Sequence, residues 1–182
     1  MILELPAQGR PAHIEGPEEP ADFLHSSLRE KLLEHVFVAE LLKSLWWRGR
    51  RDIEVLRAEV DRGGYDLVVD CANTCRHIQL KSSRAGSRMP SVNINKALAT
   101  KPSGCVVWMV FEPTTLNLGP FLWFGDTPGN PLPDLGARIA RHTRGDRAER
   151  PALRVVNRTR FTRLATMEEL VHALFGSLDY GR

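Results

Sequence analysis

From residue 27 to 45 the apolar positions Leu28, Leu32, Val36, Phe37, Leu41, Leu42 and Leu45 recur at helical spacing. Ser27, followed three places on by Glu30, is a capping-box pair that predicts the helix start, and Gly49 predicts its end. Apolar residues run around much of this helix, so it is expected to be well buried. The period then changes. Ile53 to Val60 alternates apolar and polar residues as a half-buried strand does. After Gly63-Gly64, Tyr65–Asp70 and His77–Ser82 predict two strands joined by a short loop containing Asn73. A Ser/Gly/Pro stretch leads into a predicted short helix over Val92–Thr100. Pro102-Ser103-Gly104 stops it, and Cys105–Phe111 predicts a fully buried strand.

This order (helix, three strands, helix, strand) predicts an α/β core over residues 27–111 with a mixed sheet. Residues 112–182 predict a basic α+β extension. It holds an aromatic strand at Phe121–Phe124, an edge strand at Leu153–Val156, and a closing helix opened by the capping box Thr166/Glu169. Residues 1–22 hold four prolines, two glycines and no periodicity, and predict a flexible N-terminal arm. Residues 23–182 are then expected to form a single domain, a size that suits 182 residues in all.

Composition narrows the class. A chain 42% hydrophobic and 26% charged is neither disordered nor fibrous. The longest apolar run, Cys105–Phe111, is seven residues, against the ~20 that span a bilayer, so no membrane partner and a cytoplasmic location are expected. Cys71, Cys75 and Cys105 form no four-ligand zinc pattern and are expected to be small buried apolar residues. The net charge of +3 is unevenly spread: residues 138–163 hold nine arginines against Asp146 and Glu149, a density that suits a polyanion.

Chemistry concentrates between Gly64 and Ser83. If the two strands form a hairpin in which paired positions sum to 147, Asp66 faces Lys81, Val68 faces Gln79 and Asp70 faces His77. One face then gathers Asp66, Asp70, His77, Gln79 and Lys81, with Leu67, Val69, Ile78 and Leu80 on the other. Asp70 and His77 are expected as a cross-strand polar pair. A carboxylate with carbonyl oxygens suits Mg²⁺, which keeps waters and accepts phosphate oxygens as ligands. A lysine beside them can orient the attacking water or stabilise developing charge. One more acid from the preceding helix completes such a site, and Glu34 and Glu40 are the two candidates.

A helical Glu, an Asp at a strand start and Gln79-Leu80-Lys81 on the next strand resemble the PD-(D/E)XK nuclease superfamily, the restriction-endonuclease-like fold. The Gln-x-Lys form is similar to that of Mrr-like restriction enzymes. The resemblance covers little over half of the chain, and Gln79 departs from the usual acid. It implies a Mg²⁺-dependent endonuclease (Mn²⁺ as the alternative ion) that hydrolyses DNA phosphodiesters in defence or repair. Asp66, the Gln79 carbonyl and the Leu80 backbone carbonyl would hold the metal, Lys81 would position the nucleophile, and Glu34 or Glu40 would orient a water or complete the metal shell. Arg84, Arg88, Arg141, Arg144, Arg147 and Arg150 would grip phosphates. Cutting both strands implies a homodimer, and further protein subunits could choose the target. The alternative is a nuclease-fold module that binds nucleic acid or a protein without cutting. Trp46, Trp47, Trp108 and Trp123 are expected in the core or a subunit interface, an exposed one being able to stack a base.

Overall fold

The computed structural model describes residues 26–60, 62–142 and 148–178. The expected arm, Asp61, Arg144 and Arg147 lie outside them. Helix α1 (Ser26–Trp47) leads into strands β1 (Ile53–Arg57), β2 (Leu67–Cys71), β3 (Thr74–Arg84) and β4 (Ser91–Asn95). A 3-10 turn (Lys96–Thr100), β5 (Gly104–Phe111) and β6 (Leu118–Phe124) follow. Then come β7 (Ile139–Arg141), β8 (Glu149–Asn157), β9 (Thr162–Leu164) and helix α2 (Met167–Phe175).

The fold is α/β with a mixed main sheet. Its six strands run in the order β1-β2-β3-β5-β6-β9, and only β3 and β5 are parallel. Strand β5 is buried along its whole length, which is why Cys105–Phe111 shows no alternation. One of its faces looks at α1 and α2, through Val107 and Met109 packed with Phe37, Leu41 and Leu174. Its other face, through Val106 and Trp108, packs beneath a second sheet of β4, β8 and β7 with Ile94 and Val156. Three layers result: helices, main sheet, small sheet.

Four expectations are corrected here. Helix α1 buries one stripe (Leu33, Glu34, Phe37, Leu41, Leu45) against the sheet, and leaves Leu28, Leu32, Trp46 and Trp47 exposed. It is amphipathic by contact rather than buried all round. Second, no helix spans Val92–Thr100. Ser91–Asn95 alternates inward Val92 and Ile94 with outward polar residues, a period of two, and only the next five residues coil, as a 3-10 turn capped by Asn95 Oδ1 on the Ala97 N–H. Third, Leu153–Val156 lies in the middle of its sheet, not at an edge, because β4 and β7 flank β8.

The fourth correction is register. Strands β2 and β3 pair with positions summing to 145, so Val68 faces His77 and Asp70 faces Cys75. The slip is two residues, which preserves every side chain's face. Asp70 and His77 are not partners. His77 Nδ1 lies 2.9 Å from the Pro102 carbonyl oxygen, and its ring meets Tyr65 edge-on. The cause is a two-residue turn at Ala72-Asn73 with φ of 54° and 59°, the left-handed pair that matches the twist of a hairpin. Alanine is costly there, so Ala72→Gly should raise stability by about 0.5–1 kcal/mol, read as a urea midpoint shift at constant slope. A lower midpoint would mean that the turn is not strained.

Helix α2 starts as expected. Thr166 Oγ1 accepts the Glu169 N–H at 3.2 Å, while Glu169 Oε2 accepts the N–H of Ala165 at 2.7 Å. No helix among the described residues is long and apolar enough to cross a membrane.

Candidate active site

Strand β3 is eleven residues long and outruns its partner β2. The ladder ends where the Asp66 N–H donates to the Ile78 carbonyl at 2.9 Å. The next inward-facing amide on that edge, Leu80 N–H, finds no strand and donates instead to Asp66 Oδ2 at 2.6 Å. The N–H and C=O of a strand residue share an edge, so the Leu80 carbonyl faces the same gap. On its other edge β3 stays paired to β5 as far as Arg84 and Phe111. The gap is therefore a notch with one rigid side.

A cleft of about 720 Å³ opens at this notch. The first turns of α1 (Ser27, Glu30, Lys31, Glu34) form one wall and Ser91 with Asn93 of β4 the other; Asp66, Leu80, Lys81 and Ser82 line it between them. The cleft gathers four of the expected residues: Glu34, Asp66, Leu80 and Lys81. Glu34 is nearly buried, and both its oxygens are engaged: Oε1 accepts from Arg57 Nη1, and Oε2 accepts from Lys31 Nζ at 3.1 Å. Arg57 Nη2 also lies 3.0 Å from His35 Nδ1.

Gln79 shares the face of Asp66 and Lys81 but stands behind the cleft. Its side chain is buried, and Oε1 accepts the Asn95 N–H at 3.3 Å, so it ties the main sheet to the edge of β4. Glu40 lies in the other half of α1, exposed, 3.6 Å from Lys43 and beside Thr166 and Met167. The arginines divide between two places. Arg84 ends β3 and Arg88 lies in the β3–β4 connection, whose Met89 lines the cleft. Arg141, paired with Glu149 at 3.1 Å, and exposed Arg150 sit on β7 and β8, up to two strands from β4 or about 10 Å by strand spacing. Others in the basic stretch serve the fold: Arg158 lies over Trp108 at 5.0 Å and Arg160 over Phe124 at 5.1 Å. Trp108 and Trp123 are core residues, whereas Trp46 and Trp47 are exposed, with Arg51 3.4 Å from the centre of the Trp46 ring.

The residues that sequence reasoning passed over are Lys31, Arg57 and Asn93. The Lys31/Glu34 spacing of three on a helix was a visible signal. Arg57 had none, because its contact with Glu34 is made only when β1 packs beside α1.

Among the described residues no three His, Cys, Asp or Glu side chains gather where a metal could sit. The donors at the notch are the Asp66 carboxylate and the Leu80 carbonyl, hard oxygens that fit a Mg²⁺ held by few protein ligands and mostly by water. They do not fit a zinc cage. The cysteines make no metal site either. Cys71 and Cys75 flank the hairpin turn on opposite faces, by the alternation of a strand pair. Burial pushes the Cys105 thiol up to about 12 and raises that of Cys71, while half-buried Cys75 is raised by burial and by Asp70. Only thiolates react, so Cys75 is expected to label first with a maleimide at pH 8, and Cys71 and Cys105 only on unfolding. Peptide mapping checks this; early labelling of Cys105 would mean that β5 opens.

No known family profile matches the chain, and no curated protein matches it. Among solved structures the chain is similar to a bacterial homing endonuclease, I-Ssp6803I, at 17% identity and a TM-score of 0.32, over 57% of this chain and 64% of that one. At that score the likeness is too loose to carry a functional argument.

Proposed function

We propose that the protein is a Mg²⁺-dependent endonuclease acting on DNA, with its reaction centre at the notch between β2 and β3. The observation that carries this reading is the convergence of Asp66, the Leu80 peptide and Lys81 in one cleft. Asp66 and the Leu80 carbonyl hold the metal, with Mn²⁺ as the alternative ion. A bound Mg²⁺ supplies charge neutralisation at the attacked phosphate and a more acidic water. The Leu80 N–H fixes the Asp66 carboxylate in one orientation. Lys81 orients the attacking water and meets the negative charge that grows on the phosphate oxygens. Arg84 and Arg88 hold the backbone, and a homodimer would cut both strands.

One observation favours a second reading. Gln79 is committed to the Asn95 amide and both Glu34 oxygens are taken by Arg57 and Lys31, so neither side chain is placed as a metal ligand at the notch. A module that binds nucleic acid without cutting it would have this arrangement too. Incubation of supercoiled plasmid and of single-stranded DNA with Mg²⁺ or Mn²⁺ separates the two, with binding in EDTA measured alongside. Metal-dependent nicking or linearisation supports the enzyme. Binding in EDTA with no cutting in either metal overturns it in favour of the module.

A further inference from the structure

Glu34 is a carboxylate with both oxygens taken by cations, on the helical wall of the cleft. A carboxylate in that state is poorly placed to receive a metal. It is well placed to hold its partners still. Lys31 is highly exposed at the cleft edge, and Arg57 is about one-third exposed, so each cation keeps donors available after contacting Glu34. A third anchor is His35 Nδ1 on the second Arg57 nitrogen.

The two walls of the cleft differ in kind. The β4 wall is uncharged, with Ser91 and Asn93, while the α1 wall carries Glu30, Lys31 and Glu34. With Arg57 in place the Lys31–Glu34–Arg57 cluster has a net charge of +1. Glu30 on the same wall balances that charge, so the attraction for a phosphate is local, at exposed Lys31. A strand crossing the cleft therefore has reason to set its phosphates toward α1 and its sugars or bases toward β4.

We propose that Glu34 holds Lys31 and Arg57 as a two-cation cradle for a backbone phosphate on the α1 wall. Lys31 and Arg57 each offer the phosphate a donor that Glu34 does not take. The assignment rests on the DNA-cleaving reading above, and it gives Glu34 a task other than metal binding.

The test is titration of a fluorescein-labelled duplex in EDTA between about 50 and 200 mM NaCl. Lys31→Gln and Arg57→Gln are each expected to weaken binding several-fold and to make the log–log salt slope shallower by about 0.9, one phosphate contact. Arg57→Lys should restore the slope. Lys43→Gln is the control: Lys43 forms the same kind of pair with Glu40 on the same helix, far from the cleft, and its slope should match wild type. With Mg²⁺ present, the two cleft variants should raise KM and leave kcat within about twofold, as expected for lost ground-state binding. Unchanged slopes in both variants, or an equal loss in Lys43→Gln, overturn the cradle. So does a Glu34→Gln variant that binds normally and no longer cuts, because Glu34 would then belong to the chemistry. Failure of the wild-type protein to bind the duplex at all refutes the DNA reading itself, a result distinct from these.

Discussion

Arg76→Met is expected to lose at least about 3 kcal/mol of stability, a large share of the 5–15 kcal/mol that a domain of this size has. Arg76 is fully buried, and no carboxylate faces it within ion-pair distance among the described residues. Its partners are backbone carbonyls. Nε donates to Leu174 O, and Nη2 donates to Ala173 O at 3.0 Å and Asp126 O at 2.9 Å. Nη1 lies 3.5 Å from Ser103 O, and the guanidinium stands over Trp123 at 5.5 Å. Two of those carbonyls end helix α2, whose C-terminal dipole favours a cation there. Desolvation lowers the pKa of Arg76, but the group stays protonated at any ordinary pH, so the penalty of burial is met by these acceptors. Methionine fills much of the volume and leaves them with no donor. Arg76→Lys should fare little better, since an ammonium lacks the planar fork that reaches three segments together. Urea unfolding followed by tryptophan fluorescence and by circular dichroism checks the prediction. A loss below about 1 kcal/mol would show that solvent replaces the guanidinium in the variant and that the clamp is not needed.

Asp66→Asn is expected to lower plasmid cleavage in Mg²⁺ by about 10²–10³-fold, the usual effect of removing one preorganised electrostatic group. Asparagine is the informative change because its amide oxygen can still accept the Leu80 N–H, so the hydrogen bond at the notch survives while the charge is lost. Stability should then change by less than about 1 kcal/mol. Asp66→Ala removes both and confounds them. Lys81→Ala should produce a comparable fall in cutting with binding in EDTA reduced only slightly. Gln79→Glu separates two histories of this site. Its oxygen is already committed to the Asn95 N–H, so an acid there stays tied to β4, and cleavage should change by less than tenfold while the buried charge lowers stability by roughly 1–3 kcal/mol. A large gain in cutting would mean instead that the new carboxylate swings into the notch. Retained cutting in both Asp66→Asn and Lys81→Ala would place the reaction centre elsewhere.

Much of the site's placement was legible because strand alternation is robust. A two-residue error in register left Asp66, Gln79 and Lys81 on one face, since the side-chain period is two. The register itself was not legible: Ala72-Asn73 lacks the Asn-Gly or Gly-Gly signature that announces a two-residue turn. Strand β4 was hidden by its neighbour. Lys96–Thr100 has helical propensity, and the partner that makes Ser91–Asn95 a strand lies some sixty residues away in β8. Arg76 and Arg57 carry no local pattern at all, because both find their partners through packing between distant segments. The density of arginines in 138–163 pointed to one binding face, whereas Arg158 and Arg160 stack on the aromatic core of the second sheet.

The notch is a place where a zipper stops short. The groups proposed for metal and phosphate lie where β2 leaves the hydrogen-bond ladder unfinished at Asp66, while β3 runs on to Arg84. Such a site is encoded in segment length as much as in side chains. Two extra strand-forming residues between Tyr65 and Asp66 could let β2 close over Leu80, producing a more continuous sheet and no cleft, with Asp66 and Lys81 both still present. Relatives without this cleft are therefore to be sought among chains that keep these residues and differ in the length of the segment between β1 and β2.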